Sequence, residues 1–349
     1  YPERPGLAIR VEAGAYRGEP AFFRVVGPWS REREQPPPRT FGERAGAVVG
    51  LGLALGVIGV ALLLARRHLR EGRGDRVGGT RLAAYTFVMG MAAWAFCADH
   101  VGSLEEEMGL LLRGLGVALV LTALIWTLYL ALEPYVRRRS PHALISWARL
   151  LAGRVRDPLV GRDVLIGIAA GALFALLGHL ARFIPEWMGS PGFPPLAQGL
   201  ETLVSQRLMV AHLLFNQLNA AGTSLALLLV ILVSRQLLRW PWLGTAAVLA
   251  LMSLPDALAL GARLWISLPV DMLLLSLPVA ILIRFGLLSA IVTFYVGHRL
   301  ILTPLTDDMA AWSAGPTQVL LLLLAVLATY GFRQSLGGRP LFKGWLAGA

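Results

Sequence analysis

Apolar stretches long enough to cross a bilayer recur along this chain, and the first, residues 46–65, contains no charge at all. A helix rising about 1.5 Å per residue needs roughly 20 apolar residues to cover a hydrocarbon core of ~30 Å. In lipid such a segment must satisfy its own backbone hydrogen bonds, which a helix does. The expected fold class is therefore an all-α polytopic membrane protein.

Apolar windows predict about nine spans: residues 46–65, 82–97, 109–132, 164–184, 208–233, 242–261, 268–283, 286–302 and 317–332. The last four are interrupted by Pro255, Pro269 and Pro278, so eight and ten spans are the alternatives. Hydrophobic residues make up 56% of the chain and charged ones 15%, against a usual globular share of about 25%. A net charge of +11 would suit nucleic acid in a soluble protein, but here the excess is arginine in short loops beside the spans, so no nucleic-acid partner is expected.

The arginines set the expected direction. Arg66, Arg67, Arg70, Arg73 and Arg76 follow span one, and Arg137, Arg138, Arg139, Arg149, Arg154, Arg156 and Arg162 follow span three. Residues 98–108 between spans two and three carry Asp99, Glu105, Glu106 and Glu107 instead. Basic short loops stay in the cytoplasm, which predicts an outer N-terminus and a cytoplasmic C-terminus with Arg333, Arg339 and Lys343.

Three regions follow. Residues 1–43 alternate as IRVEA and FFRVV around RGEP, the pattern of a β-hairpin. So few residues bury no core alone, and the segment reads as the tail of a larger extracytoplasmic domain ending in a stiff linker, REREQPPPR. Residues 44–334 form the multi-span bundle and residues 335–349 a cytoplasmic tail. Between spans three and four, residues 141–156 place Leu144, Trp147, Leu150 and Leu151 on one helical face, with Arg149, Arg154 and Arg156 largely elsewhere. This helix either lies on the anionic inner leaflet or packs beneath the bundle as a connector.

Polar side chains within spans raise functional hypotheses. In span five His212, Asn216, Asn219 and Thr223 share one face by spacing, either as a path or as interhelical glue, and are expected to face other helices. Arg113, His179 and Arg182 lie near span ends, where they can snorkel. Asp256 follows Pro255 and Asp271 lies two residues past Pro269, which puts both carboxylates beside expected helix breaks, the arrangement of ion-coupled transporters.

Phe96 to His100, His212 to Asn216 and the acidic pair Glu105 and Glu106 ahead of Arg113 resemble the motifs of CAAX-type intramembrane endopeptidases. The spacing from the glutamates to the arginine and the motif order both depart from that family. No P-loop, H-E-x-x-H or G-x-S-x-G occurs. With Cys97 the single cysteine, no disulfide, thiolate zinc site, metal or cofactor is expected.

Longer stretches carry a second resemblance: YPERPGLAIRVEAGAYRGEPAFFRVVGPW (1–29), RLAAYTFVMGMAAW (81–94), LYLALEPYVRRRSPHALISWARLLAGRVRDPLVGRD (128–163) and YGFRQSLGGRPLF (330–342). Together they resemble the membrane-embedded C-terminal half of large acidobacterial serine/threonine protein kinases of the eukaryote-like type. The resemblance implies a kinase domain ahead of Tyr1 in the parent polypeptide, since the V-A-I-K, H-R-D and D-F-G elements are not in this sequence. It also implies a membrane sensor or anchor module that relays an outer signal to that kinase. A small-molecule or ion transporter using the polar residues of spans five and seven is the alternative.

Overall fold

A computed structural model describes residues 9–16, 19–26, 40–189, 199–259 and 264–338. Two short strands, β1 (Arg10–Tyr16) and β2 (Glu19–Val26), pair antiparallel with Arg10 opposite Val26, and the register shifts between Gly14 and Ala15. The residues joining them, the proline-rich linker and the tail with Arg339 and Lys343 lie outside the described residues.

The rest is helical. In chain order come α1 (Phe41–Arg70), α2 (Arg76–Cys97), α3 (Leu104–Arg139), a 3-10 turn (Pro141–Leu144) running into α4 (Ile145–Leu151), and α5 (Pro158–Ala181). Two single turns follow, α6 (Ile184–Trp187) and α7 (Glu201–Val204), and then α8 (Gln206–Leu237), α9 (Pro241–Ala259), α10 (Leu264–Arg284), α11 (Leu287–Leu302) and α12 (Ala314–Ser335). Polar caps start several of them. Thr40 and Glu43 form a reciprocal capping box on α1, and Asp157 accepts from the Leu159 N–H at 2.9 Å to open α5 ahead of Pro158. Burial alone would raise the Asp157 pKa, but donation from Arg149 Nη1 to both carboxylate oxygens at 2.8 Å and that cap bond hold it below the usual carboxylate range.

Among the described residues, seven helices are long and apolar enough to cross a membrane: α1, α3, α5, α8, α9, α10 and α12. The other two windows differ for separate reasons. α11 has only 16 residues, about 24 Å at helical rise, and α2 carries Arg76, Thr80, Arg81, Tyr85 and Thr86 in its first half.

The prolines do not divide the chain as expected. Pro255 lies inside continuous α9, and Pro269 and Pro278 lie inside continuous α10. Asp256 and Asp271 therefore sit on intact helices, not beside breaks. A proline removes one backbone N–H, and neighbouring helices make that loss tolerable in a membrane bundle. Gly46 of α1 approaches so closely that a Cβ there would lie 2.4 Å from the Pro255 carbonyl oxygen.

α5 is held through glycines. A Cβ on Gly167 would lie 2.5 Å from Cβ of Val292 and 2.8 Å from the Ser289 carbonyl oxygen of α11, and one on Gly171 would lie 2.9 Å from the Thr293 carbonyl oxygen. Gly161 meets the Gly331 carbonyl oxygen of α12 in the same way, at 2.7 Å. Lipid is as apolar as leucine, so helix association rests on such close packing rather than on escape from water.

Side-chain bonds define two ends. At one, Tyr129 donates to Asp75 at 3.1 Å, the Asp75 N–H donates to Glu133 at 3.3 Å, Arg137 pairs with Glu133 at 2.6 Å, and His68 Nδ1 donates to the Leu130 carbonyl at 3.1 Å. Arg81 reaches the Leu151 carbonyl there, and Tyr330 the Val155 carbonyl. The exposed Arg66, Arg70, Arg73, Arg138, Arg154 and Arg156 surround this basic end. At the other end Arg207 donates to the Ala98 carbonyl and to Asp99, and Thr306 N–H donates to Thr317.

α4 corrects the reading of residues 141–156 as one surface helix. The α-helix covers only Ile145–Leu151, and Trp147 is buried beneath the bundle. Ser146 donates to the buried Asp163 of α5, whose other oxygen accepts from Arg162 at 2.8 Å. This tether turns the apolar face toward protein, and Arg149 is drawn to Asp157 while Arg154 and Arg156 remain exposed.

Candidate functional site

At the end opposite the basic turns, α7 folds back onto the bundle through Gly199. Its φ of +75° is a left-handed conformation that favours glycine, and a Cβ there would lie 2.0 Å from the Leu302 carbonyl oxygen. Thr202 is buried and donates to the Gly199 carbonyl at 2.6 Å, fixing the turn. That places Glu201 over α8, with Oε1 at 3.1 Å from Nε2 of His212.

One turn along α8, the buried Asn216 donates from Nδ2 to the Tyr295 carbonyl of α11 at 3.0 Å. Arg299 follows Tyr295 by one turn and is 4% exposed, with Glu201 and His212 within electrostatic reach. Among the described residues Arg299 makes no ion pair, and its Nε is buried without a hydrogen-bond partner. The Thr303 hydroxyl, one turn further, is buried and unpartnered among them as well. His298 packs against the rings of Phe174 and Phe294 at 6.2 and 5.7 Å.

No family model, curated protein or solved structure matches this chain. The site is therefore read from its chemistry. A guanidinium offers five N–H donors in a fixed fork suited to a carboxylate or phosphate. Burying that charge costs several kcal/mol, of order, unless an anion or a set of acceptors meets it. Arg299 is thus a buried cation with the donor set that suits such an anion, and His212 and Glu201 lie beside it.

The polar stripe of span five divides. His212 is half-buried and Asn216 buried, but Asn219 and Thr223 are exposed and do not face other helices. The buried face of α8 continues through Ala220, Ser224 and Leu228, while Phe215, Asn219 and Thr223 follow one another at four-residue steps on the exposed edge. Three residues advance a helix by 300°, enough to carry Asn219 across that edge.

Arg113, more than two turns into α3, and His179, near the end of α5, are exposed, and Arg182 is partly buried. Asp256 is exposed, whereas Asp271 is half-buried with Oδ2 buried and unpartnered among the described residues. His100 pairs with Glu107 at 2.6 Å and His212 with Glu201, so the two histidines of the endopeptidase-like motifs take separate partners. Burial of Glu105 and Glu106 in a shared site is not seen either, since both are exposed.

Glu201, Tyr295, Arg299 and Thr303 were not singled out by sequence. The available signal was a lone arginine near the end of an apolar window. Glu201 opens the single turn α7 eleven residues before His212, and no local spacing joins it to Arg299, 98 positions later.

Proposed function

We propose that this chain is the multi-span membrane sensor module of a bacterial serine/threonine kinase. Nine helices cross the inner membrane, with the basic end in the cytoplasm. α2 and α11 complete the nine because each joins elements at opposite ends: Asp75 neighbours Glu133 while Ala98 neighbours Arg207, and Gly286 packs on Ala143 while Leu302 packs on Gly199. The arginine asymmetry supports the orientation, and the exposed arginines suit anionic inner-leaflet lipids at about 1 kcal/mol each.

The observation that carries the sensor reading is Arg299, a buried cation that makes no ion pair among the described residues, at the end assigned to the outside. An anionic signal entering there would contact α7, α8 and α11 together, and α8 and α11 both run to the cytoplasmic face where a kinase would dock. The kinase link rests on the resemblance of residues 1–29, 81–94, 128–163 and 330–342. Reading the adjoining coding sequence tests it: an in-frame kinase domain with V-A-I-K, H-R-D and D-F-G is expected, and a frame without one overturns the reading.

Topology has its own test. On a Cys97→Ser background, a cysteine at Glu106 is expected to react with an impermeant maleimide in intact cells, and one at Arg138 only after permeabilisation. The reverse pattern inverts the assignment.

Asp271 supports a second reading, a proton or cation path, because a carboxylate oxygen is buried without a partner in a helix. In proteoliposomes a transporter would lose flux on Asp271→Asn. Equal, leak-level flux in both proteins removes that reading.

A further inference from the structure

A cavity lies toward the basic end, between α2, α4, α5, α8, α11 and α12, with a volume of about 560 Å³. Small-molecule sites commonly span roughly 300–1,000 Å³. Its walls are mainly aliphatic, and among the described residues lining it the one charged group is Arg81. Arg81 gives one N–H to the Leu151 carbonyl at 3.3 Å, one of the five a guanidinium holds. One turn away, Tyr85 donates to Gln217 Oε1 at 2.8 Å. The wall also contains Trp147, which is 7% exposed and whose indole N–H is buried without a partner among the described residues.

The mouth decides the class of ligand. Arg81 and Tyr85 are exposed, so the cavity opens on the outer surface of the bundle beside α2. On the same helix Val77 and Val88 are exposed at 64% and 56%, which surrounds the opening with apolar surface. A molecule entering here comes from the bilayer. It needs an apolar body for the walls and a single negative head for Arg81, and the volume suits one chain rather than the paired chains of a phospholipid.

We propose that this cavity binds a long-chain carboxylic acid taken from the bilayer, its tail between α8, α11 and α12 and its carboxylate on the Arg81 guanidinium. The fork geometry of arginine matches a carboxylate through two parallel hydrogen bonds. No charged residue of the outer cluster takes part, so the site stands whether or not a kinase adjoins the chain.

Photolabelling of the full chain in detergent tests this. A diazirine analogue of palmitic acid is expected to mark peptides of α2 and α12, and excess palmitic acid to compete the label away. Arg81→Ala is expected to lower labelling by the acid at least fivefold while leaving labelling by the matching diazirine alcohol unchanged. Ala221→Trp, which fills the cavity from α8, is expected to abolish both; Leu327→Trp does the same from α12 should the first variant fail to melt cooperatively. Label spread evenly over exposed helix surfaces, or competition by hexadecanol as strong as by palmitic acid, overturns the proposal. Labelling that survives both tryptophan variants in folded protein does so too.

Discussion

Gly167→Leu is expected to abolish assembly of the bundle, the largest single-residue effect anticipated for this chain. Ordinary overpacking costs about 1–3 kcal/mol, because side chains can shift to admit the new atoms. At Gly167 the obstacles are Cβ of Val292 and a backbone carbonyl of α11, neither of which moves without moving the helix. The matched control is Gly56→Leu on α1, where a Cβ meets nothing within 4 Å. Size-exclusion profiles in detergent should show loss of the monodisperse peak for the first variant and none for the second. A Gly167→Leu protein that elutes and melts like the parent would mean that α5 and α11 do not touch.

Arg299→Met is expected to melt above the parent protein. Replacing a buried charge by an apolar side chain of similar volume is often neutral or stabilising by ~1–4 kcal/mol, and Arg299 is buried with Nε unmet. Arg299→Ala should instead melt lower, since it removes the aliphatic stem that fills the site. In the proposed parent kinase the methionine variant should lose its response to signal while gaining stability, the trade-off expected of a binding residue. Equal destabilisation by Met and Ala would show that the guanidinium is a structural partner, and the sensor reading of this cluster would fall.

The helical membrane character was legible from the sequence because span length is set by bilayer thickness, and α1, α3, α5, α8, α9, α10 and α12 each overlap one of the apolar windows. The rotation of each helix was not legible. In water the apolar face of a helix marks its buried side, but in lipid both sides are apolar. Asn219 and Thr223 were therefore assigned to the interior with Asn216, although the three-residue step carries them onto the exposed edge. Trp147 shows the same ambiguity, since an apolar face at the membrane boundary suits lipid and protein equally until Ser146 is seen bonded to Asp163. Arg299 was invisible for a different reason: an arginine near a span end reads as one that reaches water, and only the packing of α7 and α8 around it makes it interior.

The glycine seam along α5 limits how the bundle can change shape. Where side chains interdigitate, rotamer changes let one helix slide past another in small steps. Backbone lying on backbone has no such intermediate settings, so α5, α11 and α12 must swing as one stiff lever. With Tyr295 contributing its carbonyl to Asn216 and its side chain to the wall of the apolar cavity, that lever has a load at each arm. A tilt imposed at the Arg299 end would therefore move the three helices together, with Gly199 and Gly286, both at positive φ, as the turns nearest its two ends.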